Sequence, residues 1–237
     1  MGGFLRVAAV AAAAVVSYGL VTGTGHAAAV VVNDLYVRIY DNTGVTPQQR
    51  ARALARAGEI LARVEIDTAW LECPAHGTGT WRSACDAPPA PGELVVRLVH
   101  ASPQADRSHP RALGYSLVDV HSGEGTLATV FINRIEALAE KARADRSLVL
   151  GRAIAHEIGH LLLGSNAHGG AGLMREIWTF DEIRRDRAED WQFTRTEREG
   201  LLASRVLGAG MLASGRGRTG GAGTAGQDPH SLLNRQQ

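Results

Sequence analysis

The hydrophobic pattern changes period several times along the chain, and each change marks an element. Val30 to Tyr40 concentrates Val, Leu, Ile and Tyr and predicts a first strand. Thr46, Pro47 and Gln49 then form a helix start: a hydroxyl cap, a proline at the first helical position, and a glutamine three residues after the cap. Leu54, Ala57, Leu61 and Val64 follow at helical spacing. Ile66 to Leu71 predicts a second strand and Glu93 to His100 a third, with Pro88, Pro89 and Pro91 ending the loop between them. Ala101 to Ala112 is polar, carries Pro103 and Pro110, and is expected to be an exposed loop. Leu113 to His121 and Thr126 to Asn133 read as a hairpin around Ser122-Gly123-Glu124-Gly125. Helices are predicted from Ile135 to Ala144, Ser147 to Leu163, Phe180 to Arg187 and Thr194 to Val206. There is no internal repeat, and the order β-α-β-β-β-β followed by helices predicts an α/β (α+β) domain with a mixed, mostly parallel sheet.

The two ends differ from this middle. Arg6, the apolar run Val7 to Val16 and the small residues Ala27-Ala28-Ala29 have the layout of a secretory signal over residues 1–29. From Ser214 to Gln237 the chain is rich in Gly, Arg and Gln and reads as a flexible tail, which leaves a domain over residues 30–213. Once the signal is removed, no stable membrane insertion is expected.

Composition narrows the function classes. Hydrophobic residues make up 45% and charged residues 21%, a globular balance. Twenty-five basic residues oppose 24 acidic ones, a net charge of +1, so nucleic acid is not an expected partner. Cys73 and Cys85 are the only cysteines. Without C-x2-C spacing or a second pair they predict one disulfide, in keeping with a secreted or periplasmic location. Arg184 to Glu199 mixes both signs and reads as a solvated helix surface. Trp70, Trp81, Trp178 and Trp191 are scattered and expected to pack in or around the core, and His100 and His121 stand at strand ends without a motif.

Chemistry concentrates in His156-Glu157-Ile158-Gly159-His160, an H-E-x-x-H run inside the most apolar helical stretch. Residues four apart share a helix face, so both imidazoles reach one metal ion while Glu157 stands beside it as a base. Gly164 follows Leu161-Leu162-Leu163 and can end the helix in the left-handed conformation. The chain then turns through Ser165, Asn166 and Ala167 to His168, a third imidazole of the kind a catalytic zinc site needs.

Here the sequence resembles the metzincin clan of zinc endopeptidases, whose motif is H-E-x-x-H-x-x-G-x-x-H followed by a Met-turn. His156, Glu157 and His160 match directly, Gly164 resembles the helix-ending glycine, His168 the third ligand and Met174 the Met-turn methionine. Residues 156–178 are also similar to a group of secreted bacterial proteins with an extended H-E-I-G-H-L-L-L-G motif. The departure is in spacing. Gly164 falls four residues after His160 and His168 eight, where the clan has three and six. The third ligand is therefore either His168 or one of the carboxylates Glu176, Asp181 and Glu182, and Met174 is either a Met-turn residue or ordinary core.

The resemblance implies a metzincin-like zincin domain with an active-site helix and C-terminal helices. It implies a secreted zinc-dependent peptidase: Zn2+ on His156, His160 and His168, a zinc-activated water with Glu157 as general base, and a peptide or protein substrate paired to an exposed edge strand. The hairpin strands are the candidates for that edge. The alternative is a non-catalytic secreted binding protein stabilised by zinc. Against it stand Glu157, which a purely structural site does not need, and the lack of a cysteine in the motif to close the coordination. Substrate, cleavage specificity and oligomeric state do not follow from the sequence.

Overall fold

The computed structural model of this chain describes residues 34–74, 82–108 and 110–204. The signal segment 1–29, the tail 214–237, Trp81 and the end of the last expected helix lie outside the described residues.

Alternation builds the sheet. In β1 (Asp34–Asp41), Leu35, Val37 and Ile39 are buried on one face, while Tyr36 on the other is exposed. Thr46 closes the expected capping box at the start of α1 (Pro47–Ala62): Gln49 N–H donates to Thr46 Oγ1 at 3.3 Å, and Thr46 N–H to Gln49 Oε1 at 3.4 Å. Ala53, Leu54, Ala57, Ile60 and Leu61 form the buried stripe of this helix. Near the end of β2 (Asp67–Pro74), Cys73 is joined to Cys85 in the short helix α2 (Arg82–Asp86). β3 (Leu94–Val99) alternates between buried and half-buried positions.

The stretch expected to be a plain loop after β3 contains a helical turn, α3 (Pro103–Ser108). Ser102 Oγ accepts from Ala105 N–H at 3.2 Å there, and Pro103 sits at the first helical position. β4 (Gly114–Asp119) and β5 (Glu124–Phe131) form the hairpin, with a register shift between Leu117 and Val118. α4 (Ile132–Ala142) begins directly after β5, three residues earlier than the apolar spacing predicts. α5 (Arg146–Leu163) is capped by Asp145, whose carboxylate accepts from Ser147 N–H at 2.8 Å.

The charged segment after α5 is not one helix. α6 (Phe180–Arg185) ends at Asp186, which adopts the left-handed conformation, and a 3-10 turn (Ala188–Trp191) follows. The chain is helical again from 195 to 204, the last described residue. The break lets Trp191, in the middle of the charged stretch, turn into the core at 1% exposure.

The sheet order is β2-β1-β3-β5-β4. β1 pairs in parallel with β2 and β3, and β3 with β5, while β4 alone runs antiparallel and closes one edge. The expected mixed, mostly parallel sheet is therefore observed. α1 and α5 pack against each other, α1 also meeting β2 and α5 meeting β4 and β5. Fourteen residues of α5 are buried, so it is covered nearly all round and gives a rigid base for its side chains.

Candidate metal centre

His156, Glu157 and His160 stand in the C-terminal half of α5. The helix packs closely on the segment that follows: a Cβ on Gly159 would lie 2.7 Å from Met174 Sδ and 2.7 Å from a Phe193 ring carbon. Met174 is thus buried directly beneath the histidine-bearing turn, at 1% exposure. The helix stops at Gly164, whose φ of +61° a side chain would resist and whose N–H caps the His160 carbonyl. The following residues return the chain to the helix, and Gly169 N–H donates to Met174 O at 2.8 Å to close the turn.

This path brings three imidazoles together. The rings of His156 and His160 are 4.7 Å apart between centroids, with His168 5.4 Å from His156 and 4.9 Å from His160. One nitrogen from each falls within 4.8 Å of the others, a group that could hold a metal ion. His156 and His160 are buried and His168 is exposed.

Main-chain carbonyls set the orientation of the two buried rings. His156 Nδ1 lies 2.9 Å from Leu173 O, and His160 Nδ1 lies 2.8 Å from Ser165 O. A carbonyl only accepts, so each Nδ1 carries the hydrogen and each Nε2 presents its lone pair. Leu173 O is fixed in turn by Trp178 Nε1–H at 3.3 Å, and the Trp178 ring meets His156 edge-on at 5.7 Å. Burial, reinforced by the neighbouring histidines, pushes the His156 pKa down to about 3, and burial lowers that of His160. Both rings are therefore neutral, the form that binds a metal.

The spacing of the buried pair suits a tetrahedral ion such as zinc. Two nitrogens on a tetrahedral ion at about 2.0–2.1 Å lie about 3.3 Å apart, and the Nε2 atoms of His156 and His160 are 3.1 Å apart. The carboxylates considered as substitutes are not part of this group among the described residues. Asp181 accepts from Arg184 at 3.0 Å, Glu182 accepts from Thr179 N–H at 2.8 Å, and Glu176 is exposed.

Glu157, next to His156 on the same helix turn, points toward β4. It is 5% exposed, and its Oε2 lies 2.8 Å from Ser116 Oγ. A Cβ on Gly114 would lie 2.7 Å from Glu157 Oε1, so β4 leaves room for the carboxyl only by carrying glycine there. Burial pushes the Glu157 pKa up to about 8, and the Ser116 hydrogen bond works against that rise. Sequence reasoning missed Ser116, Gly114 and Trp178. Strand alternation puts Gly114 and Ser116 on one face, but nothing in the spacing says which helix residue they meet.

Sheet order, antiparallel edge strand and histidine-bearing helix together make a mixed α/β fold. No family model and no curated protein sequence matches the chain. Among solved structures it is similar to archaemetzincin from Methanopyrus kandleri, determined at 1.5 Å resolution, with a TM-score of 0.51 and 16% identity. The match covers 74% of this chain and 98% of that one. At this identity the likeness is one of fold.

Proposed function

We propose that the chain is a secreted zinc-dependent peptidase, with His156, His160 and His168 as metal ligands and Glu157 as general base. The observation that carries this reading is the convergence of the three imidazole nitrogens within 4.8 Å beside a buried carboxyl on the same helix. The metzincin-like motif and the fold shared with archaemetzincin support it.

A bound zinc ion supplies Lewis acidity, which acidifies water and polarises a carbonyl. The protein supplies the rest. Leu173 O and Ser165 O hold the rings of His156 and His160 so that their Nε2 lone pairs face one point. Glu157 takes a proton from the attacking water at its carboxylate and returns it to the departing amine nitrogen. Its burial raises its proton affinity above that of an ordinary carboxylate.

Substrate binding is assigned to β4. As the last strand in the sheet it pairs, among the described residues, only with β5, so its other edge offers main-chain N–H and C=O groups to an extended peptide. Tyr115 and Leu117 are exposed along this strand. A groove of about 490 Å³ runs along the hairpin, lined by Ser116, Leu117, Asp119, Gly125 and Asn166 among others. Secretion belongs to the same proposal. The Cys73–Cys85 disulfide fits an oxidising compartment, and no described helix is long and apolar enough to cross a membrane.

The test is to digest a diverse peptide mixture with the zinc-loaded protein and read the products by mass spectrometry. Cuts that a chelator stops and zinc restores are expected. A protein that binds zinc and cuts nothing would favour the binding-protein alternative.

A further inference from the structure

Ser116 is 41 residues from Glu157 in sequence and lies on a different element, yet it is the partner of the buried carboxyl. Its Oγ is 2.8 Å from Glu157 Oε2 and also 2.8 Å from the main-chain oxygen of Glu157. Serine itself is 8% exposed, so water does not substitute freely for it. Two places along the same strand, Gly114 leaves the space that Oε1 occupies. One carboxylate oxygen is therefore held by a hydroxyl and the other lies against a bare Cα, both on the inward face of β4. A long side chain such as Glu has several staggered rotamers to choose from, and these two contacts select one.

We propose that Ser116 is a positioning residue for Glu157, fixing the direction in which the carboxyl presents its oxygens. This rests on the peptidase reading above and deepens it. Because β4 also has the free edge assigned to the peptide, one strand carries both functions: its main chain receives the substrate and its inward side chains aim the base. A peptide seated along β4 is thereby registered against Glu157 through Ser116, without an intervening loop. A reacting group misplaced by about 1 Å can lose 10²-fold in rate, so removing this contact acts on turnover more than on binding.

The test compares Ser116→Ala and Ser116→Thr with wild type in the zinc-loaded protein. For Ser116→Ala, kcat is expected to fall about 10- to 100-fold, with zinc stoichiometry unchanged and KM changed far less than kcat. Ser116→Thr keeps the hydroxyl on a strand-compatible side chain and is expected to recover most of the loss. A second readout does not depend on turnover: a double-mutant cycle of Ser116→Ala and Glu157→Ala on thermal unfolding. It is expected to be non-additive, because each change removes the same contact. Unchanged kcat in Ser116→Ala, equal rates in the Ala and Thr variants, or an additive cycle each overturn the proposal. A wild-type protein without any cleavage overturns the peptidase reading instead, and the catalytic role of Ser116 falls with it.

Discussion

The Nε2 atoms of His156 and His160 face each other at 3.1 Å, each ring anchored through its Nδ1 to a main-chain carbonyl. Two lone pairs at that spacing in a buried site lack a hydrogen between them, and a shared cation resolves the arrangement. One zinc ion per chain is therefore expected. Zinc at about 100 times its Kd adds about 2.7 kcal/mol of stability, a rise in thermal midpoint of about 5–10 °C for a chain of this size. Scanning calorimetry with and without zinc measures it. His156→Ala and His160→Ala should abolish the rise and His168→Ala should weaken it. An equal rise in all three variants would place the ion elsewhere.

The contact of Gly159 with Met174 Sδ and Phe193 leaves no room for a methyl group. Gly159→Ala is expected to cost about 1–3 kcal/mol through overpacking, although alanine is the better helix former. Chemical denaturation of the metal-free protein measures this directly. A neutral or stabilising outcome would mean that the helix and the turn at Met174 are not in contact.

Cys73 and Cys85 close a loop twelve residues apart in sequence. A closed loop of about 15 residues is worth about 3 kcal/mol in the chain-entropy treatment. Reduction should lower the thermal midpoint by about 6–12 °C, and the Cys73→Ala/Cys85→Ala variant should match the reduced protein. Zinc stoichiometry should survive both changes, since the bridge lies on β2 and α2, away from α5.

Arg38 is buried on the outer face of β1 and makes two hydrogen bonds to Glu93, at 2.5 and 2.8 Å, with a further bond to Ala87 O at 2.6 Å. The hydrogen bond from Arg38 holds the Glu93 carboxyl below its ordinary pKa of 4.5. A carboxylate with a lowered folded-state pKa stabilises fully above its unfolded value and loses that contribution as pH falls through the folded one. The stability gap between wild type and Glu93→Gln should thus be constant above about pH 4.5 and shrink below it. Hydrogen bonds to charged groups are worth about 1.5–3 kcal/mol, which sets the scale of the gap near neutrality. A gap that persists to pH 2 would show that the pair carries no such linkage.

Much of this architecture is legible in the residues. Thr46, Pro47 and Gln49 specify the start of α1 to the residue because capping is local chemistry. Gly164 marks the end of α5 for the same reason, and the alternation in β3 fixes which of its residues are buried. His168 is readable as a third imidazole just past the helix-ending Gly164, but its distance from His160, longer than the metzincin spacing, leaves the carboxylates open as alternatives. What could not be read depends on contacts between distant segments. The break between the helices expected to end at Arg187 and to start at Thr194 is readable, but the run of mixed charges around Trp191 does not say that its ring packs against Trp178 and under the Arg152 guanidinium, 4.0 Å above it. Ser116 looks like any small strand residue until β4 is laid beside α5. Strand order likewise has no local code, because β1 comes to lie between β2 and β3 only when the crossover connections are built.

The central claim is that Glu157 does chemistry beside an ion it does not hold. The most direct measurement is peptide cleavage by wild type and Glu157→Ala at equal zinc loading, with zinc content determined on the same samples. The account predicts one zinc per chain in both proteins and cleavage by wild type alone. Cleavage by Glu157→Ala at the wild-type rate, or loss of zinc from that variant, would contradict it.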